Sequence, residues 1–177
     1  MKLLAFAASN SKKSINKQLA TYAASLVEAT EVEILDINDY EMPIYSPERN
    51  EEGIPELATK FFNKIGEADG IIISFAEYNG SYSAAFKNIF DWVSRIDMKV
   101  YQNTPMVLLA SSPGGAGAAN VLASAVGSAP YFAADVKGSL SVPKFYDVFD
   151  LEAGKIKDED LDAELKKTLA EAFTLKA

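Results

Sequence analysis

The sequence predicts an α/β domain, a three-layer sandwich in which helices cover both faces of a five-stranded parallel sheet in the order 2-1-3-4-5. Short, uninterrupted apolar runs alternate five times with segments whose apolar residues recur at helical spacing. The runs lack the in-out alternation of a half-solvated strand, so each is expected to be buried on both faces. Right-handed crossovers leave few topologies for such a chain, and five strands suit 2-1-3-4-5 best. The 177 residues fit one domain spanning 1–177, and a hydrophobic fraction of 49% suffices for its core.

Residues 2–7 form the first strand. A polar loop follows, and Ile15, Leu19, Tyr22, Ala23, Leu26 and Val27 then mark a helix over about 14–29. Val32, Ile34 and Leu35 read as the second strand, and 38–54 as an irregular stretch broken by Pro43, Pro47 and Gly53. Pro55 opens a helix whose apolar side carries Leu57, Ala58, Phe61, Phe62 and Ile65. The clearest buried strand is 70–75, followed by a helix over about 81–93. Another strand spans 105–110, a glycine-rich turn comes at 113–115, and a small-residue helix covers 116–126. A weaker strand at 139–142 precedes a last helix over about 158–173, which begins on Asp158, Glu159 and Asp160, where a helix dipole favours negative charge.

Composition excludes several kinds of chemistry. With no cysteine and no histidine, the chain has no disulfide framework, thiol nucleophile, Cys/His zinc site or Ser-His-Asp triad. A formal net charge of −8 argues against nucleic acid and against an anionic membrane surface as partners. The apolar start is too short for a signal segment and no run is long enough to span a bilayer, so the expected location is the cytoplasm. Reactivity is left to hydroxyls, carboxylates, lysines, backbone groups or a borrowed cofactor.

In a sheet of this order a ligand sits beyond the carboxyl ends of the strands, at the switch point. Three loops meet that description. Ala8 to Asn16 runs from a strand into a helix start, where unpaired N–H groups and the hydroxyls of Ser9, Ser11 and Ser14 suit an anion, or else simply cap the helix. It is neither a Walker A loop nor a G-x-G-x-x-G loop. Ala76-Glu77-Tyr78-Asn79-Gly80-Ser81 follows the best strand; a helix comes next rather than a second strand, which argues against a hairpin at Asn79-Gly80. Ser111-Ser112-Pro113-Gly114-Gly115 offers glycines for close approach to a ligand or for turning the chain.

At these residues the chain resembles the NADPH-dependent FMN reductase family, the flavodoxin-like quinone, chromate and azo-dye reductases. The family's G-S-x-R-x-x-S-x-N loop is met at Ser9, Ser14 and Asn16. Its P-E-Y-N-G-S and L-K-N-x-x-D-W segments are met almost throughout by 76–81 and 86–92, the most specific stretch. Ser112-Pro113-Gly114 resembles its third loop, and Met42-Pro43-Ile44-Tyr45 the loop after strand two. The resemblance covers roughly 1–150, leaving the last helix outside it.

It implies FMN as cofactor and NADPH or NADH as co-substrate, with hydride passed to the flavin and on to a small-molecule acceptor. Ser9, Ser14 and Asn16 would hold the phosphate; Glu77, Tyr78, Asn79 and Gly80 would lie along the isoalloxazine, largely through backbone groups; Ser111, Ser112, Gly114 and Gly115 would close the other side, and Ser11, Ile15 and Ala76 complete the expected cofactor site. No side chain need serve as acid or base, and Tyr78 would only position the ring. Ser11 stands where the family usually has arginine and Ala76 where it has proline. The missing arginine removes a fixed charge near the phosphate and leaves the nucleotide preference open, with Lys12 or Lys13 as replacements. A homodimer or homotetramer is implied, in which Tyr45 and Tyr101 could reach a neighbouring flavin. Asp91 and Trp92 are expected to serve helix packing or a subunit contact. The competing readings are a flavodoxin-like electron carrier without direct NAD(P)H activity and a flavin-free module that keeps the fold.

Overall fold

The computed structural model describes residues 1–176, so that Ala177, the last residue of the expected domain, lies outside the described residues. Its elements in chain order are β1 (Lys2–Ala8), α1 (Ile15–Leu26), β2 (Glu31–Leu35), α2 (Pro47–Glu52), α3 (Glu56–Gly66), β3 (Gly70–Phe75), α4 (Ala84–Ile96) and β4 (Pro105–Ser111). Then come α5 (Ala119–Ser128), β5 (Asp135–Val142), α6 (Phe145–Val148), β6 (Phe149–Asp150), β7 (Lys155–Ile156) and α7 (Glu159–Ala170). Short 3-10 turns occupy Ile37–Tyr40 and Ala129–Phe132. The five long strands form one parallel sheet in the order β2-β1-β3-β4-β5, as the sequence predicts.

Successive side chains of a strand point to opposite faces, and here both faces are apolar. Leu4 and Phe6, Ile71 and Ile73, and Met106 and Leu108 face a layer made by α3, α4 and α5, with Phe61, Phe86, Trp92 and Val121 in the packing. Leu3, Ala5, Ile72, Val107 and Leu109 face α1 and α7, against Leu19, Ala23, Leu165 and Leu169. Burying each large aliphatic side chain contributes about 1.5–3 kcal/mol, which fixes every strand's register through its core residues.

Helix limits differ from expectation for identifiable reasons. α1 stops at Leu26 because the chain beyond it is extended: Val27 bridges Leu175, and Glu28 N–H donates to the Thr174 carbonyl at 2.8 Å. α4 starts at Ala84, three residues later than expected, because the Ser83 hydroxyl caps it by accepting from Phe86 N–H at 3.2 Å. α5 starts at Ala119 because Gly117 and Ala118 both have left-handed backbones. The first half of β5 escapes a search for buried runs because it is a half-exposed edge, and α2 because none of its residues is buried. The excursion from α6 through β7 is absent from the sequence reading altogether. Its buried anchors, Phe145, Phe149 and Ile156, stand too far apart among polar residues to show a period.

One ion pair fastens α1 to the end of β2. Lys17 Nζ donates to Asp36 at 2.6 Å and Asn38 N–H to the same carboxylate at 3.0 Å. These bonds, the lysine's first, lower the Asp36 pKa from 3.8 to about 2. With the folded value depressed, the pair's contribution is complete above about pH 4 and is lost as pH falls through about 2. Asp36→Asn keeps the acceptor for Asn38 and removes only the charge. It is expected to lower the melting temperature by a few degrees at most at pH 7, since both side chains are partly exposed. Melting curves recorded down to the acid limit of the fold should show that gap closing toward pH 2.

Candidate functional site

The loops after β1, β3 and β4 converge at the carboxyl edge of the sheet around a cleft of about 250 Å³. Its walls are Ser9, Ser11, Lys13, Ser14, Ile15 and Asn16 from the first loop, Ala76, Glu77 and Tyr78 from the second, Ser111, Ser112 and Pro113 from the third, and Tyr146. Of the residues expected at the site, Asn79, Gly80, Gly114 and Gly115 stand outside these walls. Lys13, Pro113 and Tyr146 are additions. Tyr146 follows β5, whose carboxyl end opens on the same edge, and that position was the available signal.

Asn16 joins the three loops. Its Oδ1 accepts from the Ser74 hydroxyl at 2.7 Å and from Ser111 N–H at 3.0 Å, while its Nδ2 donates to the Ser111 carbonyl at 3.1 Å. The residue is buried, and these bonds run from the first turn of α1 to the tips of β3 and β4. Its amide therefore serves the scaffold of the cleft. Ser111 does likewise, for its hydroxyl donates to the Val142 carbonyl at 2.8 Å.

The rest of the first loop is arranged as a donor set. The hydroxyl oxygens of Ser9, Ser11 and Ser14 accept from the N–H groups of Ser11, Lys13 and Lys17 at 3.2, 3.4 and 3.2 Å. No described protein group takes their hydroxyl hydrogens, which remain to donate. The N–H groups of the first turn of α1 have no intrahelical partner and carry the positive end of the helix dipole. Lys13 is the one cation among the described cleft walls. Hydroxyls, helix N–H groups and an ammonium are the chemistry that a phosphate ester requires, so the residues present fit the phosphate of FMN.

The second loop is held by its own carboxylate. Glu77 accepts from Val121 N–H at 2.9 Å and from Asn120 Nδ2 at 3.3 Å. It thus caps α5, whose N-cap residue Ala118 has no side chain able to do so. Beyond it, Tyr78 and Ser81 exchange backbone bonds of 3.0 and 3.1 Å around Asn79 (φ 53°) and Gly80 (φ 76°). A hairpin turn is therefore present at Asn-Gly after all, closed by one bridge before Ser83 starts α4. Positive φ at both central residues is what Asn and Gly tolerate. In the third loop the demanding glycine is Gly117 (φ 59°), where a Cβ would lie 2.9 Å from Pro143 N. Gly114 has only the Ser112 hydroxyl oxygen, at 3.9 Å, near the place of a Cβ, and Gly115 has nothing within 4 Å.

The helix motif after the second loop is structural throughout. Lys87 pairs with Asp91 at 2.7 Å. Asn88 Nδ2 donates to the carbonyls of Met42 and Pro43, and its Oδ1 accepts from Tyr45 N–H at 2.8 Å. Trp92 Nε1 donates to the Pro43 carbonyl at 2.7 Å, and the Tyr45 ring meets Trp92 edge-on at 5.1 Å. Tyr101 is buried against Phe90, and burial pushes its phenol pKa up. It also lines a groove with Phe90, Arg95, Met98 and Phe132.

Residues 1–147 match the family described as NADPH-dependent FMN reductase. The chain belongs to that family. The 2-hydroxy-1,4-benzoquinone reductase of Burkholderia sp is 34% identical over 121 residues, a stretch covering 67% of this chain and 64% of that protein. The quinone reductase of Escherichia coli strain K12 is 34% identical over 80 residues, 45% of this chain and 43% of that one. The matched stretch thus spans less than two thirds of either relative. Among solved structures, FerB from Paracoccus denitrificans, a flavoenzyme NAD(P)H:(acceptor) oxidoreductase, superposes with a TM-score of 0.74 at 25% identity, covering 96% of this chain and 93% of that one. Membership of the NADPH-dependent FMN reductase family agrees with the sheet order seen here.

Asn16→Ala would leave Ser111 N–H and the Ser74 hydroxyl without their acceptor inside the fold. Urea unfolding should show a loss of about 2–4 kcal/mol. A variant as stable as the wild type would contradict the joining role.

Proposed function

We propose that the protein binds FMN in this cleft and acts as a NAD(P)H-dependent flavin or quinone reductase of a small acceptor. The observation that carries the reading is the convergence of a phosphate-type donor set with two loops able to flank a planar ring. Bound FMN would supply the redox chemistry, accepting two electrons from NADH or NADPH and returning them to the acceptor.

The chain's own residues bind and orient. Ser9, Ser11, Ser14 and the first turn of α1 hold the phosphate end. Ala76, Glu77, Tyr78, Asn79 and Gly80 supply one side, and Ser112, Gly114 and Gly115 the other, where the places of the missing Cβ atoms are open. Glu77 brings little free negative charge to the cleft, because its carboxylate faces the N-terminus of α5. Tyr78, more than half of its side chain exposed, stands at the rim and positions a ring without exchanging protons.

The protein is further proposed to work in the cytoplasm as a homodimer or homotetramer. No helix of the described residues is long and apolar enough to cross a membrane. Ile44, 75% exposed, stands beside Met42, Ala84 and Ala85 in an open hollow, bordered also by Asn10, Asn38, Glu41 and Asn88, that a second copy would cover. Sedimentation equilibrium reads the assembly directly.

The FMN-loaded protein, mixed anaerobically with NADH or NADPH, is expected to lose its flavin absorbance promptly and to regain it when a quinone is added. Flavin that stays bound but unbleached with both nucleotides would replace the reductase reading with that of an electron carrier.

A further inference from the structure

The segment after β5 enters the cleft from the same side of the sheet as the phosphate loop. Phe145 and Phe149 are buried with Leu19 of α1, their rings stacked at 4.6 Å and 18°, and Tyr22 of α1 meets Phe149 edge-on at 6.2 Å. Two backbone bonds then tie the segment to the glycine-rich loop: Lys144 N–H donates to the Gly114 carbonyl at 3.0 Å and Phe145 N–H to the Ser112 carbonyl at 3.1 Å. Between these anchors Tyr146 is set as a wall of the cleft, 55% exposed, and its hydroxyl has no partner among the described residues. The second loop leads instead into α4, on the opposite layer. Tyr146 therefore shares a layer with the start of α1 and not with the second loop, and its segment is tied to the third loop by those two bonds.

The charge at that end comes from a single residue. Lys17, also in the first turn of α1, has its ammonium on Asp36 at 2.6 Å. Lys13 makes no ion pair among the described residues and lines the cleft, whereas Lys12 does not line it.

Resting on the FMN reading above, we propose that Tyr146 and Lys13 form the outer half of the phosphate subsite and make the protein select FMN over riboflavin. The phenol hydroxyl would donate to a phosphate oxygen and the Lys13 ammonium would face the dianion. A hydrogen bond to a charged acceptor is roughly twice as strong as one between neutral groups, so a rim tyrosine gains most from a phosphate. The anchors that fix Tyr146, the Phe145–Phe149 stack and the two bonds to the glycine-rich loop, then work as a positioning device for the ligand.

Full-length protein freed of flavin, titrated with FMN and with riboflavin while flavin fluorescence is followed, tests this. The wild type should prefer FMN at least tenfold, roughly what one charged hydrogen bond supplies. Tyr146→Phe and Lys13→Met should each weaken FMN binding by about tenfold and leave riboflavin binding unchanged. The lysine variant should also flatten the salt dependence of FMN binding. Both side chains are on the surface, so melting curves should match the wild type. FMN affinity unaltered by Tyr146→Phe would overturn the proposal. So would an equal loss for both flavins, which would place the ring on the isoalloxazine. A wild type that binds neither flavin would instead sink the FMN reading itself.

Discussion

The carboxyl edge of this sheet depends on one buried amide. A parallel sheet leaves its strand tips as separate loops, each free to lie where its own helix pulls it. Asn16 removes that freedom, because its Oδ1 and Nδ2 hold Ser74 at the tip of β3 and Ser111 at the tip of β4 from the first turn of α1. Burial makes the arrangement strict: each partner would be left unpaired in a low-dielectric interior if the amide moved. The donors of the first loop and the walls supplied by the other two therefore keep a fixed separation.

Other polar residues extend the same logic outward. Glu77 ties the second loop to α5, Ser83 ties the start of α4 to the Ala8 carbonyl, and Ser141 ties β5 to the Gly117 carbonyl. The helix after the second loop uses Asn88 and Trp92 to clasp residues 42–45 against it. These bonds fix backbone, so Asn88 and Trp92 serve the scaffold. What is left to meet a ligand is a small set: three hydroxyls, helix N–H groups, Lys13, Tyr78, Tyr146 and open glycine backbone. That set suits a protein whose reactivity comes from a cofactor and whose own sequence lacks His and Cys.

Much of this was legible in the chain. The runs at 2–7, 70–75 and 105–110 are apolar without alternation, because both of their faces are covered, and this gave the sheet and its order. The site loops were legible because topology puts them at one edge. What stayed hidden depended on contacts far apart in sequence. Nothing near Val27 says that α1 must stop to pair with Leu175, and nothing near Phe145 shows that it will stack on Phe149 and carry Tyr146 into the cleft. The turn at Asn79-Gly80 escapes the sequence for a different reason: a two-residue turn needs one bridge, not a second strand. Asn16 and Glu77 are expected at the site from the sequence, but their bonds to Ser111 and Val121 join separate loops and only the fold reveals them.

Whether the three loops form one flavin cleft at the carboxyl edge of the sheet is tested most directly by backbone amide chemical shifts against FMN. Titrating the isotopically labelled protein should move the amides of 9–16, 76–80 and 111–115 together, saturating at one equivalent. The account would be contradicted if the shifts fell instead on the aromatic groove lined by Phe90, Tyr101 and Phe132, or if no amide moved.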